Sequence, residues 1–231
     1  MKKREMQLPL NFSHTSDPVF KFDDLVVTES NRMAFQLIDH WPDWALPIAV
    51  LVGKKGSGKT HFSNVWAQKA NALNVHRDQI DQVVSIASSG RPLLIEDISA
   101  DKINETGLFH LINSIKQANL HMRQATLLVT ARTVPSMWNL TLNDLKSRLN
   151  SVMLVEINQP DDTLLTAVAF KFFSDRQITV HPDVVYYLVN RCERSLFSLK
   201  RAIDSIDRLA LQRKSKVTRA VIGEVLNSKI Q

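Results

Sequence analysis

One stretch of this sequence has residue types and spacing suited to holding phosphate groups. Residues 53–60 read GKKGSGKT and match the pattern G-x-x-x-x-G-K-[S/T] in full. Glycines let the backbone wrap a phosphate with its N–H groups turned inward, the lysine reaches the outer phosphates, and the last hydroxyl is offered to Mg²⁺. The predicted phosphate-binding residues are Gly53, Lys54, Lys55, Gly56, Ser57, Gly58, Lys59 and Thr60.

Two adjacent carboxylates follow an apolar run further along the chain. The run Leu93–Ile95 ends in Glu96 and Asp97. After a phosphate-binding loop, such a strand end places one acid near Mg²⁺ and the next near the water that attacks a phosphoryl group. We therefore expect Thr60 and Glu96 to hold Mg²⁺ through a bound nucleotide, and Asp97 to occupy the catalytic position.

Two more polar side chains, Thr130 and Arg148, can each be interpreted in two ways. Thr130, at the end of an apolar run, either senses a terminal phosphate or is an ordinary threonine at a strand end. Arg148 is either an arginine finger for a neighbouring subunit or a surface arginine of a helix. His61 follows the loop on its helix, where we expect it at the helix surface and not as a metal ligand.

Short apolar runs alternate with helical patterns before residue 160. Helices are predicted near Ser30–Asp39, after the loop with Leu73 on the apolar face, and at Leu108–Leu120. Such alternation predicts βαβ units and a parallel sheet. The apolar runs predicted as strands are residues 48–52, 83–86, 93–95, 126–130 and 152–157.

The pattern changes after residue 160. Asp161 can cap a helix, Pro182 suits the first position of another, and apolar residues at three- and four-residue steps predict further helices. No strand pattern is evident there, so the predicted fold is α/β with a parallel sheet, followed by a small all-α domain. The predicted divisions are a flexible tail at 1–20, an α/β nucleotide-binding domain at 21–158 and a helical domain at 159–231.

Composition limits the class of protein. The hydrophobic fraction of 44% and charged fraction of 23% are typical of globular chains. With Cys192 as its single cysteine the chain can form no intrachain disulfide. No apolar run approaches the ~18 residues of a membrane span, and none follows the basic N-terminus as in a signal peptide. We therefore expect a cytoplasmic protein without a membrane partner. Its net charge of +6 suits nucleic acid, an acidic partner or simply a solvated surface.

Several segments resemble the AAA+ domain of the bacterial replication initiator DnaA. Residues 22–34, FDDLVVTESNRMA, are similar to the segment that opens that domain. Residues 145–149, LKSRL, resemble its arginine-finger box, and residues 159–161 and 181–209 resemble its lid. The resemblance covers roughly residues 20–228 and implies a P-loop AAA+ nucleotide-binding domain followed by a small all-α lid.

The resemblance also implies roles for individual residues. ADP or ATP, with Mg²⁺, would be contacted by the loop and by Val26, Val27 and His61. Glu96 and Asp97 would form the Walker B pair, although the first position is usually Asp, and Thr130 would be sensor 1.

The expected sensor-2 arginine aligns with Phe197 instead. Arg194, three residues earlier, would lie about one helical turn away and could replace it. Without sensor 2, intrinsic ATP turnover is expected to be slow.

The layout is similar to that of the Hda family, the regulatory inactivators of DnaA. No sequence-specific DNA-binding domain is expected after the lid, and residues 7–12, QLPLNF, resemble a segment that docks on the β sliding clamp. An extended peptide of this composition can fill an apolar groove. The residues expected to bind the clamp are Gln7, Leu8, Pro9, Leu10 and Phe12.

The resemblance implies a nucleotide-bound negative regulator of replication initiation. Docked on the DNA-loaded clamp, it would insert Arg148 into the nucleotide site of DnaA and stimulate ATP hydrolysis there. Self-association, as a dimer or higher oligomer, is a further possibility because AAA+ modules often assemble head to tail. Two alternatives are an ATPase of the helicase-loader type and a DNA-binding protein that uses a basic lid.

Overall fold

A five-stranded parallel sheet forms the centre of the molecule. The structure is a computed structural model that describes residue 22 and residues 25–99, 103–121 and 124–227. All strand pairs are parallel, and the spatial order is β2-β3-β4-β1-β5. The strands are β1 (Ile48–Gly53), β2 (Leu73–Val75), β3 (Leu93–Ile98), β4 (Leu127–Ala131) and β5 (Met153–Ile157).

Helices before residue 160 pack on the sheet, and the helices after residue 160 pack against one another. In the first part of the chain they are α1 (Arg32–Asp39), α2 (Lys59–Ala70), α3 (Val84–Ser88), α4 (Glu105–Leu120) and α5 (Asn143–Leu149), with short 3₁₀ turns at Arg77–Val83 and Pro135–Met137. After residue 160 they are α6 (Asp162–Asp175), α7 (Pro182–Val189), α8 (Leu196–Arg213) and α9 (Arg219–Asn227). The expected α/β fold with a parallel sheet followed by helices is therefore confirmed.

Strand β1 shows why the sheet must be covered on both faces. Every residue of β1 is buried, and successive side chains point to opposite faces of a strand. Ile48 and Val50 join the hydrophobic cluster beneath α4, whereas Ala49 and Leu51 join the cluster beneath α1 and α2. A third cluster lies entirely within α6–α9 and the residues between them. The helical part of the chain thus has a core of its own.

The capping residues of the later helices agree with the sequence pattern. The Asp161 carboxylate accepts a hydrogen bond from the Leu164 amide at 2.7 Å, as an N-cap should. Burial by itself would raise the pKa of Asp161, but hydrogen bonds from Leu164, Thr28 and Ser30 outweigh it and lower that pKa. Asp161 therefore links the start of α6 to the segment before α1. Pro182 occupies the first turn of α7, as predicted.

The prediction of a strand at residues 83–86 was wrong. Val83 ends the 3₁₀ turn, and α3 begins at Val84, because the buried residues Ile80, Val83 and Ala87 recur at helical spacing. The second strand is instead β2, which contains Leu73, a residue expected on the helix after the loop. That helix ends at Ala70 because Asn71 adopts a left-handed conformation with φ of 48°.

Strand order brings the predicted chemical residues to one edge of the sheet. Strand β4 lies between β1 and β3, with Leu51 opposite Thr130 and Ile95 opposite Val129. The carboxyl ends of parallel strands meet at one edge, which is where open α/β sheets bind ligands. Within the described residues, no helix is long and apolar enough to cross a membrane.

Candidate functional site

The loop between β1 and α2 has the geometry of a phosphate cradle. Gly56 and Gly58 have φ of 78° and 108°, conformations that only glycine adopts without strain. The Lys59 ammonium donates to the carbonyl oxygens of Gly53 and Lys54 at 2.6 and 3.0 Å. These contacts fold the lysine back across the loop, with its charge beside the position where phosphates would lie.

One buried group in this loop has no hydrogen-bond partner, and another is a charged group removed from water. The hydroxyl of Ser57 is buried and has no hydrogen-bond partner among the described residues. Burial lowers the pKa of Lys59; the Asp97 carboxylate opposes this effect and Arg132 adds to it. Buried polar groups are normally paired, so an orphaned hydroxyl and a desolvated ammonium both fit an anionic ligand.

A cleft of about 570 Å³ lies between this loop and the helical domain. Among the described residues its charged lining is basic: Lys55, Lys59, Lys171 and Lys200 line the cleft, and none of the described lining residues is acidic. Apolar side chains complete the wall and suit the flat face of a base. They include Leu25, Val26, Phe62, Leu164, Val168, Phe172, Leu196 and Phe197.

The N-terminus of α8 touches the loop directly. The Leu196 amide donates to the carbonyl oxygen of Gly56 at 2.9 Å. A Cβ atom at Gly56 would overlap the side chain of Ser195, so this glycine is also required for the close approach of α8. Phe197 is half exposed, and the Lys55 ammonium lies 5.6 Å from its ring centroid. The aromatic ring at the expected sensor-2 position thus lies at the mouth of the cleft.

The two acids of β3 have different partners. Glu96 Oε1 accepts a hydrogen bond from the Ser63 hydroxyl at 2.8 Å. Asp97 accepts two hydrogen bonds from Arg132, from Nε at 3.1 Å and from Nη2 at 2.9 Å. The Asp97 amide also donates to the Thr130 hydroxyl at 2.8 Å. Thr130 is therefore coupled to Asp97, whichever of the two interpretations of this threonine applies.

The chemistry of these residues fits Mg²⁺ bound through a nucleotide. Mg²⁺ is usually held by one or two protein oxygens together with phosphates and water. Thr60 lies in the first turn of α2, and Glu96 is held at Ser63, about one turn further along the same helix. Thr60 and Glu96 are the two residues that would supply those oxygens. In the described ranges no group of three or more His, Cys, Asp or Glu could hold a metal ion unaided.

Arg148 lies away from this cleft, exposed on α5. The start of α5 is held by Glu105, whose carboxylate accepts hydrogen bonds from the amides of Thr141 and Leu142 at 2.7–3.0 Å. These backbone hydrogen bonds, from Thr141 first, lower the pKa of Glu105. Glu105 thus fixes the two residues that directly precede α5, including its N-cap residue Leu142, which has no side-chain cap of its own.

Only some of the remaining predicted site residues lie at the cleft. Val26 and His61 line the cleft with the loop, whereas Val27 and Arg194 do not. The Arg194 guanidinium pairs with Asp162 at 3.1 Å. The expectation that Arg194 lies one helical turn before Phe197 was wrong, because α8 begins only at Leu196. The clamp-binding motif at residues 7–12 lies outside the described residues.

Sequence reasoning missed several residues of the site. Arg132 follows β4 directly, and that position beside the strand-end acids was the only available signal for it. Ser63 lies on α2 one turn after Thr60, so its helical spacing could have indicated it. Lys171 and Lys200 belong to two helices that meet only in the folded chain, and no local pattern marks them.

The chain is similar to known proteins both in its helical part and in its overall fold. The family model described as "Hda, lid domain" matches residues 167–226. A curated protein of Haemophilus influenzae described as uncharacterised is 25% identical over 238 residues, covering 96% of this chain and 98% of its own. Domain III of DnaA from Thermotoga maritima has a TM-score of 0.73 at 17% identity, over 92% of this chain and 97% of that chain. AMPPCP-bound DnaA from Aquifex aeolicus has a TM-score of 0.68 at 18% identity, over 83% of this chain and 66% of that chain. At these identities the similarity to solved structures establishes the fold alone.

Proposed function

We propose that this chain, whose residues 167–226 match the Hda lid and whose fold is similar to that of DnaA domain III, is a nucleotide-bound regulator of replication initiation that acts on DnaA. The observation that carries the proposal is the match of residues 167–226 to the Hda lid. The regulator would stimulate hydrolysis of the ATP that DnaA holds, and so end the competence of DnaA to initiate.

The proposed ligand of the cleft is ADP or ATP with Mg²⁺. The charged residues that line the described part of the cleft are lysines, which suits a polyphosphate. The orphaned Ser57 hydroxyl and the desolvated Lys59 ammonium both favour an anion at the loop. The DnaA of Aquifex aeolicus has been solved with AMPPCP, an ATP analogue, on the same fold. The nucleotide would keep the helical domain and the loop in one arrangement, because α8 contacts Gly56 directly.

Arg148 is the residue proposed to act on DnaA. It is exposed, and no described carboxylate forms a salt bridge with its guanidinium. An arginine that stabilises a transferring phosphoryl group in another subunit must be presented unpaired on a fixed element. Helix α5 is such an element, since Leu145 and Leu149 are buried and Glu105 fixes the backbone at Leu142, directly before the helix.

Docking on the β sliding clamp is proposed from the sequence alone. The segment QLPLNF at residues 7–12 has the spaced leucines and terminal aromatic ring that an apolar groove can accept. The clamp on DNA would concentrate the regulator beside newly replicated DNA and present Arg148 to DnaA bound nearby.

The proposal is tested by measuring ATP hydrolysis by purified DnaA in the presence of clamp loaded on DNA, with and without this protein. Wild type should accelerate hydrolysis, whereas Arg148→Ala and a deletion of residues 1–12 should not. Lys146→Ala is the matched control, because Lys146 is an exposed cation on the same helix. It should retain most of the stimulation.

No stimulation by the wild type would contradict the proposal and would favour the helicase-loader alternative. Stimulation that survives Arg148→Ala would retain the target and remove the arginine from the mechanism. Stimulation that survives the deletion would separate the action on DnaA from clamp docking.

A further inference from the structure

The ion pair between Asp97 and Arg132 lies at the position where a catalytic acid would act. Both carboxylate oxygens of Asp97 accept from the guanidinium, at 3.1 and 2.9 Å. Bidentate pairs of this kind are the geometrically most specific ion pairs in proteins. Hydrogen bonding to Asp97 also raises the pKa of Arg132, which therefore stays charged. In this arrangement Asp97 has both oxygens engaged by the protein itself.

The pair is fixed by the backbone on both sides. Asp97 has a φ of 47°, at an irregularity in the β3–β4 register between Ile95 and Ile98. The hydroxyl of Thr130 accepts from the Asp97 amide at 2.8 Å and so stabilises this unusual conformation. Arg132 follows directly on β4. Two neighbouring strands of the central sheet therefore place the acid and the arginine side by side at the same edge.

We propose that Arg132 is a positioning residue that withholds Asp97 from the attacking water and so keeps intrinsic ATP hydrolysis slow. This inference rests on the proposed binding of ATP at the loop. In hydrolysis the water oxygen bonds to the γ-phosphorus while the bond from γ-phosphorus to the bridging oxygen breaks, and that electron pair leaves with ADP. Asp97 would accept the water proton and pass it to the released phosphate, which requires an oxygen lone pair directed at the water. The guanidinium takes one lone pair of each oxygen and fixes the direction of the others.

The arrangement separates holding a nucleotide from hydrolysing it. Lys59 and the loop stay available to phosphates, because neither takes part in the pair. The side chains of Arg132 and Asp97 are 58% and 55% exposed, and exposed ion pairs contribute little to stability. Substituting Arg132 should therefore leave the protein folded and change only what Asp97 can do.

The test is single-turnover hydrolysis of ATP by this protein in excess, without DnaA, for wild type, Arg132→Gln and Arg132→Lys. Arg132→Gln should hydrolyse ATP at least about tenfold faster than wild type, since a freed general base contributes ~10²–10⁴-fold. Arg132→Lys keeps one charged hydrogen bond and should be intermediate. The double variant Arg132→Gln/Asp97→Asn should return to the slow rate, because the gain must pass through the Asp97 carboxylate.

Binding of a fluorescent ADP analogue, measured on the same variants, distinguishes the possible failures. Unchanged affinity with faster hydrolysis in Arg132→Gln supports the inference. Unchanged affinity with an unchanged rate overturns it and leaves the proposed function intact. Loss of both affinity and hydrolysis overturns it as well, because Arg132 would then be a phosphate ligand. If wild type binds neither ADP nor ATP, the proposed function fails and this inference fails with it.

Discussion

Arg132 and Arg148 are both exposed arginines, but the protein holds them by different parts of the residue. At Arg132 the guanidinium itself is bound, by both oxygens of Asp97. At Arg148 the side chain forms no salt bridge with the described carboxylates, and the protein fixes the helix instead, through Glu105. The Asp97 carboxylate thus pairs with the guanidinium of Arg132 itself. The Glu105 carboxylate fixes only the backbone directly before α5, the helix that carries Arg148.

We infer from this difference that the two guanidinium charges act on different partners. An arginine held at its guanidinium controls its own partner within the chain. An arginine held only through its backbone keeps its hydrogen-bond donors for a ligand that the chain does not contain. Substitutions at Arg148, Lys59 and Glu105 test whether the action of Arg148 on DnaA is independent of nucleotide binding at the cleft.

The largest expected effect is that of Arg148→Ala on DnaA. Stimulated hydrolysis should fall by on the order of 10³-fold, since a supplied arginine is worth about 10³–10⁵ in rate. The affinity of the variant for ADP should stay that of wild type, because Arg148 is remote from the cleft lining. A clear loss of ADP affinity, measured by fluorescence anisotropy, would show that the two regions are not independent.

Lys59→Ala should weaken nucleotide binding, which Arg148→Ala should leave unchanged. The size of this effect should be smaller than the loss of stimulation in Arg148→Ala. The lysine is the buried cation of the loop, and a charged hydrogen bond contributes enough for a roughly 10- to 100-fold loss of ATP affinity. Lys69→Ala is the matched control, because Lys69 lies on the same helix but bonds to the carbonyls of Ile38 and Asp39. Isothermal titration with ATP checks both variants, and equal losses in the two would exclude a specific role for Lys59.

Glu105→Gln should weaken stimulation of DnaA partially, by less than Arg148→Ala. The amide still accepts one hydrogen bond but loses the charge that holds the amides of Thr141 and Leu142. Glu156→Gln removes an exposed carboxylate from β5 and serves as control. The DnaA hydrolysis assay reports the difference. Wild-type stimulation by Glu105→Gln would mean that α5 does not need this residue to present Arg148.

The smallest expected effect is a pH dependence of stability. The pKa of Glu105 is held below its ordinary value of 4.5 in the folded state. Its stabilising contribution is therefore complete above the unfolded pKa and is lost as pH falls through the folded pKa. Wild type should exceed Glu105→Gln in urea midpoint at neutral pH, and the gap should shrink below pH 4.5. A gap that widens in acid would contradict the assignment.

Much of the fold was readable from local patterns. The run 48–52 is hydrophobic throughout because both faces of a central parallel strand are buried, and it is β1. Asp161 and Pro182 correctly predicted where α6 and α7 begin, because capping interactions lie within one helical turn. The failure at residues 83–86 has a physical reason too. A run of four residues of which three are apolar suits a short strand or a buried helix equally, and only packing against α4 decides between them.

The sequence by itself determined the phosphate loop and the acids at the end of β3. Those features depend on residue types at fixed local spacing, and parallel strands bring their carboxyl ends together in any such sheet. It also determined that an arginine would lie on α5.

Only the tertiary structure decided which partners these residues have. Arg132 meets Asp97 across 35 residues of chain, and Glu105 meets Leu142 across 37. Such contacts depend on strand order, register and helix packing, which no short window of sequence records. For the same reason Arg194, close to Phe197 in the chain, points instead to Asp162 at the start of α6.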